Sequence, residues 1–404
     1  MGVNVINYIY HVVMGRVLGP VDYGTLLSLF SILYMVSIIP MSTSVSIVKF
    51  VSAAKNKKEL AGIYSGINRL IFKIAFIASI VMIVFSPAIA NFLKIKEIFS
   101  VILMAPVLFF SLTTLVNQSS SQGLLKFDGV VIPNVVSATA KFVLGLIFVL
   151  AGWRVMGAVG GVVFGATFSY LASLYAVKKI IPNVKAKKFD LKPFVKFALP
   201  ALFQALAFTS FFTVDVLLVK HYLSPFDAGI YSALSTLGKI IYFAATPIAS
   251  VMFPIVSGRY ARGEKYRQVF YAAFLATVVL SLGVTGFYWL FPKIAIGVLF
   301  GAKYLSAQTE LVWMSLFISF LTISFLLINF LLSVGRTKIV IFPIVVAMAQ
   351  LSAIIMFHNS MLQVIQVSLA SMVLLFSGLS MYMIYNEGLS CGEKKVPKNR
   401  DEKR

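Results

Sequence analysis

Apolar stretches of membrane-spanning length recur along this 404-residue chain, separated by short charged or turn-rich breaks. Crossing the hydrocarbon core of a bilayer takes about 20 apolar residues in a helix. On that measure the pattern predicts twelve helices, near residues 3–18, 25–51, 64–93, 98–122, 129–152, 155–180, 196–219, 228–257, 268–292, 309–333, 338–358 and 362–385. The first is short for a span. The closing stretch, residues 386–404, is polar and highly charged and is expected to be disordered. The fold class expected is therefore an all-α integral membrane protein.

The charges in the breaks test the count. With the N-terminus on the cytoplasmic side, the inward breaks hold 23 Lys and Arg and the outward breaks hold 7. The positive-inside rule predicts that excess, loop by loop, for twelve spans with both termini cytoplasmic. A missed or spurious helix would invert the alternation beyond it. Residues 15–24, GRVLGPVDYG, fall in the first outward break, and Arg16, Arg154 and Lys220 are among the few outward cations.

That decapeptide has an echo at 220–229, KHYLSPFDAG. An offset of 205 puts Leu18 on Leu223, Pro20 on Pro225, Asp22 on Asp227 and Gly24 on Gly229, and it also pairs Val51-Ser52 with Val256-Ser257. An offset spanning six helices preserves their direction, which describes two parallel repeats related by an axis along the membrane normal. The expected organisation is an N-lobe over 1–180, a basic cytoplasmic linker over 181–195, a C-lobe over 196–385 and a cytoplasmic tail over 386–404. Each turn reads first as a helix-start device. Proline at the first helical position leaves no N–H unpaired, and Asp22 or Asp227 in the first turn meets the positive end of the helix dipole.

Composition narrows the function. The chain is 60% hydrophobic and 12% charged, with a mean hydropathy of +0.95; soluble domains are about 25% charged. A net charge of +22 raises the question of nucleic acid, but the cations lie between spans rather than on one polar face, so no nucleic-acid partner is expected. The single cysteine, Cys391, excludes a disulfide framework. No secretory signal is read at the N-terminus. His11, His221 and His358 are scattered, no metal-ligand spacing or nucleophile–base grouping can be assembled, and no cofactor, metal site or catalytic residue is expected.

At these turns the chain resembles the polysaccharide-export branch of the MOP flippase superfamily, which includes O-antigen flippases. The R-x-L-G-P-x-x-Y-G turn of that family is matched by Arg16, Leu18, Gly19, Pro20, Tyr23 and Gly24, and its D-x-x-L…G-x-Y-S segment by Asp215, Leu218, Gly229, Tyr231 and Ser232. The resemblance implies a MATE-like fold of two six-helix lobes facing a central cavity in the cell membrane. It implies alternating-access transfer of a polyprenyl-(di)phosphate-linked glycan from the inner to the outer leaflet.

Five cations fall inside the expected spans: Lys49, Arg69, Lys73, Lys141 and Lys239. A charge at the bilayer centre costs about 2.5–3.5 kcal/mol even on the lenient insertion scale, so deep ones face a cavity or a partner. Lys141 and Lys239 are the deepest. Arg69 and Lys73, four apart, share one face of their helix. These four are the candidate cavity cations, although Lys49, Arg69 and Lys73 can also snorkel to the interface. Asp215 is the one acidic residue clearly inside a span, and it is the candidate for a coupling Na⁺ or H⁺ if it is not simply paired with a lysine. A cavity rich in cations suits an anionic lipid diphosphate, whereas an exporter of organic cations would favour buried carboxylates. The alternatives are a cation-coupled multidrug exporter of MATE type and an integral-membrane glycosyltransferase or polymerase. Asn117, Gln118, Gln122, Gln204 and Gln350 are further polar residues inside spans, and NQSSSQG (117–123) reads either as interhelical hydrogen bonding or as a sugar contact.

Overall fold

A glycine and a proline break the first long helix where the repeat pattern changes from apolar to punctuated. In the computed structural model, which describes residues 2–36, 38–181, 184 and 189–388, helix α1 runs Gly2–Val36 with a kink at Gly19. Gly19 takes φ 74°, open to glycine without strain, and Pro20 restarts the helix beyond it. The helices then follow the apolar runs: α2 (Ile38–Ser52), α3 (Lys57–Val84), the short α4 (Ser86–Phe92) and α5 (Ile98–Ile102), α6 (Met104–Gly123), α7 (Asp128–Phe148), α8 (Arg154–Ile180), α9 (Lys192–Tyr222), α10 (Pro225–Ala261), α11 (Arg267–Leu290), α12 (Pro292–Leu299), α13 (Gln308–Ser333), α14 (Ile341–Met356) and α15 (Met361–Gly388). Every expected span falls on a helix, and no strand occurs among the described residues. Eight helical stretches among them are long and apolar enough to cross a membrane. One of these, Asp128–Ile180, contains two expected spans joined by the turn at Val149–Trp153. Residues 182–183 and 185–188 of the expected linker, the tail beyond Gly388 with Cys391, and the side chain of Gln204 lie outside the described residues.

The chain divides into two compact units, one of Met1–Ser235 with Lys293–Ala307 and His358–Met361, the other of Thr236–Pro292, Gln308–Phe357 and Leu362–Arg404. In the first, α3 buries Ile63, Ile67, Ile71 and Ala75, a ladder at four-residue spacing, against Ile47 and Val51 of α2, Leu112 and Val116 of α6 and Phe194 of α9. One stripe of α3 is thus core and the opposite face is left to the surroundings. Asn56 starts this helix: its side-chain oxygen accepts the Glu59 N–H at 2.9 Å, while Glu59 accepts the Lys55 N–H at 3.0 Å.

The polar patch 117–123 serves as interhelical glue. Tyr64 O–H donates to Asn117 Oδ1 at 2.8 Å, and Asn117 Nδ2 donates to Ser173 Oγ at 3.1 Å, tying α6 to α3 and α8. Gln118 Nε2 reaches Asn134 Oδ1 on α7 at 3.1 Å. Asn117 is buried, so in an apolar surrounding these bonds are the alternative to an unpaired amide.

Helices α7 and α8 pack through glycines of α8. A Cβ placed on Gly161 would run into the backbone of Gly145 and stand 2.8 Å from the Lys141 carbonyl; one on Gly165 would stand 2.8 Å from the Ser137 carbonyl and 3.0 Å from Lys141 Cβ. Close helix approach through small residues four apart is a membrane packing mode driven by van der Waals contact. In the second unit α11 meets α13, with Phe270 stacked on Phe330 at 4.0 Å and Thr285 3.1 Å from Ser319. Tyr288 O–H donates to the Leu237 carbonyl at 3.0 Å.

Candidate functional site

Lys141 sits midway along α7, opposite the glycine face of α8, and turns toward α1. Its half-buried ammonium donates to Asn7 Oδ1 at 2.5 Å and lies 4.6 Å from the Tyr10 ring centre and 5.8 Å from that of Phe30. Tyr10 is held in place by its O–H, which donates to the Ala158 carbonyl of α8 at 3.0 Å, and by edge-on packing with Phe30 and His11. The lysine thus has a neutral oxygen and two aromatic faces around it, and no carboxylate bonded to it among the described residues. Such a seat lowers the cost of a desolvated cation without cancelling its charge, leaving it able to attract an anion. Nothing in the sequence around Asn7 or Tyr10 singles them out; their role follows from where α1 lies against α7.

Asp215 is 1% exposed on α9 and accepts the Tyr231 O–H at 2.6 Å from α10. Both residues belong to the D-x-x-L…G-x-Y-S segment, so the structure joins the two ends of that motif through one charge-assisted hydrogen bond.

Arg69 and Lys73 are exposed on α3, two residues past Ile67 and Ile71 and therefore on the side opposite the packed stripe. Phe72, Phe76 and Ile80 are exposed alongside them, and neither cation has a hydrogen-bond or ion-pair partner among the described residues. Lys239 is half-buried on α10, in the second compact unit. Of the sequence candidates, Lys141 is the one whose contacts build the Asn7–Tyr10 seat among the described residues.

Two charges do more than their position in a loop foretold. Lys220, counted with the outward breaks, lies in the last turn of α9, is 3% exposed and donates to Thr25 Oγ1 at 3.0 Å. Asp22 is held by Arg154 through two bonds, Nε to Oδ2 at 2.7 Å and Nη2 to Oδ1 at 2.9 Å. It therefore anchors the start of α8 in addition to sitting near the restart of α1. Its counterpart Asp227 behaves as the turn chemistry predicts: Ser224 O–H donates to its carboxylate at 2.7 Å and its N–H donates back to Ser224 Oγ at 3.1 Å, starting α10 at Pro225.

Residues 13–309 match the model of a family described as polysaccharide biosynthesis protein. The chain belongs to that family. Curated protein sequences give no match. Among solved structures, this polysaccharide biosynthesis family member is similar to a multidrug-resistance MATE transporter of the MOP superfamily in an inward-facing conformation, at 12% identity, 96% coverage of each chain and a TM-score of 0.82. It is also similar to the lipid II flippase MurJ in an inward closed conformation, at 15% identity over 94% of this chain and 86% of that one, with a TM-score of 0.73. An outward-facing MATE transporter aligns over 97% and 94% at 13% identity and a TM-score of 0.63. The family member therefore has the MOP transporter fold and is a multi-pass membrane protein. The sequence expectation of family and fold is borne out.

Proposed function

We propose that this protein is a flippase that carries a polyprenyl-(di)phosphate-linked glycan across the cell membrane by alternating access, working as two six-helix lobes with both termini cytoplasmic. The observation that carries this reading is Lys141: a cation in the apolar interior, seated by Asn7, Tyr10 and Phe30 with no carboxylate bonded to it among the described residues. A cation so placed attracts an anionic headgroup, and membership of a polysaccharide biosynthesis family supports a glycan-bearing cargo. Arg69, Lys73 and Lys239 are proposed to add to the positive potential along the path. Multidrug export is less well supported, because the likeness to MATE transporters is one of fold and the Lys141 seat would repel an organic cation.

The reading is tested by reconstitution. Vesicles holding the protein and a fluorescent polyprenyl-diphosphate-linked oligosaccharide are expected to show faster loss of label to a membrane-impermeant quencher than protein-free vesicles. Equal rates would refute it, and efflux of cationic dyes in the same vesicles would favour the drug-export alternative.

Asp215 is proposed to bind the coupling Na⁺ or H⁺. Asp215→Asn keeps an oxygen that can accept from Tyr231 but removes the titrating group. The expected outcome is flipping reduced about tenfold or more and no longer responsive to an imposed Na⁺ or pH gradient, while the wild type remains responsive. A variant that keeps its gradient response would remove Asp215 from the coupling step.

A further inference from the structure

We propose that the two copies of the repeated turn form a releasable latch across one end of the helices, with Arg16 as its catch; the proposal rests on the transport reading, in which that end faces outward. The first observation is that positions equivalent by the offset of 205 meet in space. A Cβ on Gly24 would stand 2.8 Å from the backbone nitrogen of Gly229 and 2.9 Å from its Cα, and a Cβ on Gly229 would run into the Pro20 carbonyl. The turn after the first expected span and the turn before the eighth therefore cross backbone to backbone, each supplying the absence of a side chain that the other needs.

The second observation is the clamp beside that crossing. Arg16 Nε donates to the Leu299 carbonyl at 2.9 Å, and Nη2 donates to the carbonyls of Val298 and Gly297, the latter at 3.4 Å. These are the unpaired carbonyls at the C-terminal, negative end of α12, where a guanidinium is favoured by both hydrogen bonding and the helix dipole. Tyr304 O–H donates to the Gly15 carbonyl at 2.7 Å, and the Phe300 ring covers Gly15 so closely that a Cβ there would come within 2.6 Å of it. Two more bonds join the halves nearby: Lys220 to Thr25, and His221 Nδ1 to the Phe92 carbonyl at 2.7 Å. Every one of these contacts lies inside the first compact unit and bridges the first half of the sequence to the second.

The chemistry of these contacts is that of a closure made to part. The crossing through two glycines itself interdigitates no side chains, so on opening the packed groups to be parted are the few rings beside it, Phe300 and Tyr304 over Gly15 and Tyr23. Arg16 is exposed, and on release its guanidinium and the α12 carbonyls both regain water. Two lobes that alternate access must separate at this end in each cycle, and the contacts that would have to break are these.

Labelling of a cysteine placed within the closure tests the proposal. Thr25→Cys in a Cys391→Ser background puts the only thiol beside Gly24, at a position that is buried and faces Lys220. A membrane-impermeant maleimide applied from outside is expected to label this parent slowly. Adding Arg16→Ala should raise the rate about tenfold, since a charged group loses its hydrogen bonds, and Arg16→Lys should recover part of the protection. Gly229→Val, which cannot close on Pro20, should label like an exposed cysteine while still eluting as a monodisperse peak. The latch is refuted if Arg16→Ala leaves the rate unchanged, or if the parent already labels as fast as a surface thiol. Labelling needs no cargo, so a parent that shows these ratios yet moves no glycan would support the latch and count against the flippase reading.

Discussion

Lys141→Gln is expected to lower glycan flipping by about 10- to 100-fold, the loss corresponding to the roughly 1.5–3 kcal/mol of a hydrogen bond to a charged group. Glutamine can still bond Asn7 and cover Tyr10, so the fold should survive and the effect should be one of charge. Lys141→Arg keeps the charge and should retain more activity than Lys141→Gln, although a planar guanidinium fits a seat made for an ammonium imperfectly. The informative variant is Asn7→Asp. It places a carboxylate 2.5 Å from the ammonium in place of the amide oxygen, neutralising the lysine inside the protein. Flipping should fall as far as in Lys141→Gln while thermal stability holds or rises. Full activity in Asn7→Asp would show that the seat plays no part in attracting the cargo.

The second large effect is structural and has opposite signs at adjacent residues. Gly161→Ala pushes a methyl into the Gly145 backbone and toward the Lys141 carbonyl, and since neither can swing aside the helices must part. Overpacking of this kind costs about 1–3 kcal/mol, at times more, and it would also shift Lys141 in its seat. Gly160→Ala meets nothing closer than the Phe148 ring, at 3.5 Å, and should gain up to about 1 kcal/mol from the better helix propensity of alanine. Thermal unfolding in detergent, followed by tryptophan fluorescence, should separate the two variants on either side of the wild type. Equal melting temperatures would mean that the α7–α8 contact is looser than its geometry implies.

What could be read from the sequence was whatever is local. The spans are long apolar runs, and their ends are marked by Pro20, Pro225, Asp227 and clustered lysines, each acting within a turn of helix. The offset between the two turns was legible for the same reason, since Pro, Asp and Gly keep their spacing in both copies. The site was legible only by exclusion: a lysine inside a span needs a partner, but Asn7 and Tyr10 are ordinary residues until α1 is laid against α7. The partner of Lys220 was not legible, because a cation beside a turn looks the same whether it meets water or Thr25, 195 residues away. Arg16 reads as a motif residue, yet its bonds go to carbonyls more than 280 residues on, and a backbone acceptor leaves no mark on the side-chain pattern.

The meeting of Gly24 and Gly229 has a consequence for how the two halves of this chain can diverge. After a duplication, each copy is ordinarily free to drift on its own. Here the empty volume above one glycine is filled by the other copy's backbone, so the two positions draw on a single shared space. A methyl added to either half spends room belonging to both, and a later change in the other half cannot restore it, because neither residue has a side chain left to shrink. Across relatives, the pair is expected to be held as a unit even where the surrounding turns no longer resemble each other.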